Sequence, residues 1–244
     1  DFMRVLVPMA GDDTTPEGEQ VNIYGNHVGS WNFAATAYLN RWKVKIYYEH
    51  YFDDHSQMFF QYGRWKDGHI GLEITFPKNR FIDTFVYEGL GTKDQTGPML
   101  YDSFWGEFEE QISAKDNYYN HYLYQGWQHW GMGIGNPLLP GPIYNKNGQI
   151  TFISNRVLAH HIGFCGSPCQ SLSYRMLLSY SRHWGTYDNP LNEIKKQFNS
   201  LFEVTYAPQQ LKGWSFTVSG AMDRGNLLGN NYGGMLVIRK QGII

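Results

Sequence analysis

Polar and apolar residues alternate one for one along several stretches of the chain. In Trp42-Lys43-Val44-Lys45-Ile46-Tyr47-Tyr48-Glu49, one face carries Trp42, Val44, Ile46 and Tyr48 and the other Lys43, Lys45, Tyr47 and Glu49. That is the period of a β-strand with two unlike faces. The pattern returns with Ile70, Leu72, Ile74 and Phe76 against Gly71, Glu73 and Thr75, and with Leu172, Tyr174, Met176, Leu178 and Tyr180 against Ser173, Arg175, Ser179 and Ser181. It returns once more with Trp214, Phe216, Val218 and Met222 against Ser215, Thr217, Ser219 and Asp223. Weaker alternation predicts further strands at 2–9, 22–39, 81–89, 150–165, 199–207 and 234–244, which makes about ten.

The connections alternate in length. Tight links are expected at Asn40-Arg41, Pro77-Lys78-Asn79-Arg80, Gly166-Ser167-Pro168 and 208–212, all rich in turn formers. Long links are expected between them, at 10–21, 53–68, 90–149, 185–198 and 224–233. In an up-and-down antiparallel sheet every second connection lies on the same rim, so the long ones gather at one end. Short turns on one side and long loops on the other are the asymmetry of a transmembrane β-barrel. The predicted fold is therefore all-β, a transmembrane antiparallel up-and-down β-barrel forming one domain over 1–244. Its long folded loop at 90–149 is extracellular and both chain ends are periplasmic. Aromatics at strand ends, namely Trp31, Trp42, Tyr51, Trp184 and Trp214, suit its interfacial girdles. A soluble sandwich or lipocalin-like barrel also alternates. Against it stands the Lys, Glu, Arg and Ser content of the polar face, too charged for a dry core unless paired.

Composition narrows this reading. The chain has 18 Tyr, 15 Phe and 8 Trp, and its 20 basic residues nearly balance 22 acidic ones. Nucleic acid is thereby set aside as the main partner. No run approaches the roughly 18 apolar residues of a membrane helix. A mean hydropathy of −0.47 still suits a barrel, whose lumen and loops are polar. The two cysteines, Cys165 and Cys169, flank Gly166-Ser167-Pro168 as if facing each other across a hairpin turn, with a disulfide and two free thiols both open.

Segment 90–149 is too long for a structureless link and must fold. Leu100, Phe104, Phe108 and Ile112 recur every four residues, as on one side of a short helix. From Asp116 onward the composition turns to Tyr, Trp, His, Asn and Gly, ending in Gly135-Asn136-Pro137-Leu138-Leu139-Pro140-Gly141-Pro142.

Several of these stretches carry a family resemblance. Gly25-Asn26-His27-Val28-Gly29-Ser30-Trp31, Asp116-Asn117-Tyr118-Tyr119-Asn120-His121 and Tyr124-Gln125-Gly126-Trp127-Gln128-His129-Trp130-Gly131 are among them. So are Gly135-Asn136-Pro137-Leu138, Asn155-Arg156-Val157-Leu158-Ala159-His160-His161-Ile162-Gly163 and His183-Trp184-Gly185-Thr186-Tyr187-Asp188-Asn189-Pro190. Together they resemble the Bacteroidota branch of the Wzi-type capsule assembly family. The resemblance implies an outer-membrane barrel of about eighteen strands that holds capsular polysaccharide at the cell surface as a lectin, without catalysis. It further implies that the ten strands are the C-terminal portion of that barrel, preceded by a signal peptide, a helical bundle and earlier strands. Expected partners are capsular or other surface polysaccharide, outer-membrane lipid and other surface-assembly proteins.

Sugar recognition needs flat apolar faces for the C–H side of a ring and planar polar groups for its hydroxyls. Tyr118, Tyr119, Tyr122, Trp127 and Trp130 supply the first, and Asp116, Asn117, Asn120, Gln125, Gln128 and His129 the second. An acidic capsule would add a need for cations, for which Arg64, Lys66, Arg156 and Arg182 are the candidates. The competing reading is that these aromatics pack the loop down as a plug. No metalloprotease, nucleophile-elbow, phosphate-loop or calcium-loop motif occurs, so no catalytic residue, metal or cofactor is assigned. His160 and His161, adjacent on a strand, must face opposite ways. The rival functions are a substrate-specific channel and a barrel-embedded hydrolase, with Glu107, Glu110, Asp116 and His121 as first suspects for the latter.

Overall fold

The computed structural model describes residues 13–14, 28–53, 67–79, 81–95, 117–120 and 127–242. In chain order the strands are β1 (Val28–Leu39), β2 (Trp42–Asp53), β3 (Gly68–Thr75), β4 (Thr84–Gly91), β5 (Gln128–His129), β6 (Met132–Gly133), β7 (Val157–Cys169), β8 (Leu172–Gly185), β9 (Pro190–Tyr206), β10 (Trp214–Gly225) and β11 (Asn231–Lys240). All but β5 and β6 form one nine-stranded antiparallel sheet whose neighbours follow chain order. The predicted strand at 2–9 and the predicted helix at 100–112 lie outside the described residues. Among the described residues the sheet is open, with β1 and β11 as its edges.

The register keeps like faces together. Lys45, Glu73, Val86, Gly163, Leu177, Leu201, Ala221 and Gly233 lie side by side across eight strands. Directly opposed residues in an antiparallel pair point to the same face, so every alternating strand contributes its polar set to one side. The polar groups there find partners across strands. Lys43 lies 3.7 Å from Glu73, and Arg175 lies 3.3 Å from Glu203, which also accepts from the Ser219 hydroxyl at 3.1 Å. Asn199 donates to Asp223 at 2.7 Å.

Over most of the described residues the opposite face is apolar and exposed. Phe33 (55%), Ile46 (54%), Phe202 (50%), Val218 (60%) and Leu236 (65%) all stand exposed, and no second sheet covers them among the described residues. A soluble sandwich would bury this face. Trp42, Tyr174, Tyr206, Trp214 and Phe216 border it at one end and Trp31 and Trp184 at the other, by strand register. Tyr51 is the exception among the predicted girdle residues, because it pairs with Ser30 on the polar face.

Several expected boundaries are corrected. The links at 185–198 and 224–233 shrink to 186–189 and 226–230, because β9 and β10 run further than their hydrophobic pattern. The early part of β9, with Glu193, Lys195 and Lys196, is held extended by pairing with β8 at Lys195 and Lys196 and by the Asn226 N–H on the Lys196 carbonyl, rather than by apolar alternation. Strand β7 begins at Val157, not 150, and continues through Gly166-Ser167-Pro168 to Cys169. Those three residues form a bulge, where the register slips between Gly166 and Cys169, and the turn itself is 170–171. Cys165 opposes Arg175 and Cys169 opposes Leu172, so the thiols share one strand instead of facing each other, and both are free. Among the described residues the rim asymmetry consequently rests on two connections, 54–67 and 92–156, and the expected long link at 10–21 lies almost entirely outside them.

The buried apolar cluster sits at the end of the sheet that carries those two connections. Leu90, Val157 and Ala159, on the polar face, pack with Tyr118, Tyr119, Leu139 and Phe152 of the long connection. Core formation here is the docking of a loop onto the mouth of a polar sheet.

Candidate functional site

Docking is specified by side-chain amides and one carboxylate. Asn155 donates to the Asn117 side chain (2.6 Å) and the Tyr118 carbonyl (2.8 Å), while its own carbonyl accepts from Thr92 (2.7 Å) and Gln95 (3.1 Å). Asn120 and Phe152 exchange a reciprocal pair of bonds, both 2.9 Å. Asp67, 1% exposed, accepts from the backbone N–H groups of Asp94 (2.8 Å) and Gln95 (2.6 Å) and from the Tyr118 hydroxyl (2.9 Å). Burial pushes its carboxyl up to about 6, against the opposing pull of those three donors. Gly68 follows at φ +148°, where a side chain would run into the Glu49 carbonyl, so the turn into β3 requires glycine.

Between the docked segment and the polar face lies a cavity of about 610 Å³, within the usual size of a small-ligand site. Tyr51, Tyr118, Tyr119 and Trp127 give its walls aromatic surface. Its floor carries Ser30, Glu49, His69, Glu88 and His161, drawn from five strands. His69 stands between the two carboxylates, its Nδ1 3.5 Å from Glu49 and its Nε2 3.4 Å from Glu88. Ser30 donates to Glu49 at 2.7 Å. Tyr47 donates to Glu88 by passing over Gly71 of the intervening strand, where any Cβ would overlap the phenol ring. No lysine or arginine lines the cavity among the described residues.

The sequence-predicted site residues divide. Tyr118, Tyr119 and Trp127 reach the cavity wall, although Tyr118 and Tyr119 are also buried members of the loop core. The plug reading therefore holds for these two tyrosines alongside the wall position. Trp127 is set by its N–H bond to the Tyr119 carbonyl (3.2 Å) and by the Ile134 N–H on its own carbonyl (2.9 Å). Asn117 accepts from Asn120 and Asn155 as part of the docking lock. His129 and Trp130 are carried away from the cavity, onto the β5–β6 hairpin. Trp130 (φ 53°) and Gly131 (φ 77°) form the hairpin's turn, and Trp130 is 84% exposed. Arg182 lies on the apolar face, 5.4 Å from the Trp184 ring, and Arg156 stacks 3.8 Å over Tyr187. Neither of these two candidate cations lines the cavity. Asp116, Tyr122, Arg64 and Lys66 lie outside the described residues.

His160 and His161 do face opposite ways, His161 toward Ser179 at 2.7 Å and His160 toward Tyr87 at 2.8 Å on the other side. Sequence reading placed Glu49 on the polar face and missed His69, Glu88 and Asp67 as site residues. Each is an isolated polar residue in its own segment, and only the strand register sets Glu49 beside His69 and Glu88 beside His161. Compared with known protein families, with characterised proteins and with solved structures, the chain matches none.

Proposed function

We propose that this protein is an outer-membrane β-barrel component that binds and anchors surface polysaccharide without cleaving it, as the resemblance to Wzi-type capsule assembly proteins implies. The observation that carries this reading is the cavity itself, with aromatic walls and hydrogen-bonding floor beneath a docked loop. Sugar rings stack on such walls, and paired carboxylate, imidazole and hydroxyl groups bond their hydroxyls. The uncovered apolar face opposite a polar, cross-paired face supports the membrane placement.

Two features favour binding over hydrolysis. The His69 imidazole occupies the space between Glu49 and Glu88, where a glycosidic oxygen would have to sit. Both carboxylates are also engaged by further hydroxyl donors. The acidic, arginine-free lining favours a neutral or amino sugar over an acidic one. The docked loop favours a closed barrel over a channel, for which a conductance trace in planar bilayers is the direct check.

Purified protein in detergent is expected to bind capsular polysaccharide from the producing cells, and Trp127→Ala to weaken this about tenfold, the loss of one stacking wall. Trp130→Ala, remote from the cavity, is expected to change affinity less than twofold, well inside the effect of a lost stacking partner. Absence of binding by intact protein, or equal losses from both variants, would count against the reading.

A further inference from the structure

A second cluster of aromatic and cationic side chains lies outside the cavity, at the long-connection end of the apolar face. Trp184 carries two cations on its indole, with Lys93 Nζ 4.8 Å and Arg182 Cζ 5.4 Å from the ring centroid. Beside it Arg156 lies 3.8 Å over the Tyr187 ring and donates through Nε to the Lys93 carbonyl at 3.2 Å. The Trp184 backbone N–H donates to the Arg156 carbonyl at 3.0 Å. Lys196 opposes Arg182 directly across β8 and β9 and is exposed. Four cations from four places in the chain thus share one patch. Among the described residues none of them is in an ion pair. Lys195, the neighbouring lysine, is paired with Glu193 at 2.6 Å, and Asp94 and Asp188 are the acidic groups on the adjoining loops.

Two like charges held over one indole repel each other, and an anion seated between them offsets that repulsion. Aromatic faces orient these cations, and the patch stands directly above the apolar band of Tyr180, Ile162 and Phe202 on the same face. An anion with a hydrocarbon body attached below it would meet both surfaces together. We infer that Lys93, Arg156, Arg182 and Lys196, oriented by Trp184 and Tyr187, form a binding site for the phosphorylated headgroup of an outer-leaflet saccharolipid, whose acyl chains lie along the apolar face. Guanidinium groups suit phosphate oxygens through paired hydrogen bonds. The inference rests on the membrane placement proposed above. It assigns to Arg156 and Arg182 a lipid contact in place of a polysaccharide one.

The test uses the full chain in nonionic micelles, with native mass spectrometry reading retained lipid. Diphosphoryl lipid A is expected to bind at least tenfold more tightly than its dephosphorylated form, and the preference is expected to fall as salt is raised. The combined variant Lys93→Gln, Arg156→Gln, Arg182→Gln and Lys196→Gln is expected to lose that preference while keeping heat-modifiable gel mobility and polysaccharide binding. A single Arg182→Lys variant, which keeps the charge and folds under the same constraints, is expected to retain part of it. Equal binding of phosphorylated and dephosphorylated lipid, or an unchanged preference in the combined variant, overturns the site and leaves the barrel standing. Stable solubility of the wild-type protein without detergent overturns the membrane placement and the site with it.

Discussion

On the proposed membrane placement, Phe202→Arg is expected to destabilise the protein by about 2–4 kcal/mol, the cost of a basic side chain near the midplane of a barrel strand that meets lipid. Leu201→Arg, one residue earlier, is expected to cost much less. The two differ only in the face they occupy. Phe202 stands half exposed on the apolar face, flanked by Met176 and Gly220. It lies midway along β9 between the Trp214–Lys240 level and the Phe198–Arg224 level. Leu201 points to the polar face between Leu177 and Ala221, two residues from Glu203, whose carboxylate can meet a guanidinium. Unfolding by denaturant in lipid vesicles, read through heat-modifiable mobility, gives both costs directly. If the exposed apolar face met water instead, a charge at 202 would be a surface substitution within about 0.5 kcal/mol of neutral. Equal costs at 201 and 202 would therefore sink the membrane assignment.

Asp67→Ala is expected to release the long connection while leaving the sheet intact. Three donors lose their acceptor, at 1–3 kcal/mol each for buried groups, partly offset by relief of the buried charge. A net loss of about 2 kcal/mol of docking is expected, or roughly a thirtyfold rise in amide exchange at Asp94, Gln95 and the 117–120 turn. Unchanged exchange there would show that Asn155 and Asn120 suffice to hold the segment. The acidity of Asp67 adds a sign. Its carboxyl is raised in the docked state to about 6, from about 3.9 when the segment is released. The docked form therefore holds the proton more tightly, and this contribution is full below the released value and lost as pH rises through about 6. Docking is expected to be firmer at pH 5 than at pH 7, after correction for intrinsic exchange, and Asp67→Ala to abolish the difference.

Much of the wall was legible beforehand because period two is a local property. Lys43, Lys45 and Glu49 against Val44, Ile46 and Tyr48 reveal two faces without knowledge of any neighbour, and the register then aligned those faces as the alternation required. Length was less legible. Strand β9 reaches back to Pro190 through charged residues because pairing with β8 holds its backbone there, which no pattern of side chains announces. The Cys165–Cys169 stretch misled for a related reason. Gly-Ser-Pro is good turn chemistry, yet neighbouring pairing absorbed it as a bulge and moved the turn to 170–171.

For the site, composition singled out a loop of which Tyr118, Tyr119 and Trp127 line the cavity while His129 and Trp130 do not. Trp127 and Trp130 look alike in sequence, but one faces the cavity and the other caps a two-residue turn in solvent. Arg156 and Arg182 were legible as cations, and alternation from Tyr180 already placed Arg182 on the apolar face.

What the sequence by itself determined is the two-faced strand, since the side-chain period of an extended backbone needs no partner. Only the tertiary structure decided which loop residues meet the polar face, and that Glu49, His69, Glu88 and His161 become neighbours. Those juxtapositions depend on register and on one buried carboxylate docking a distant segment, and neither is a property of any local stretch of chain.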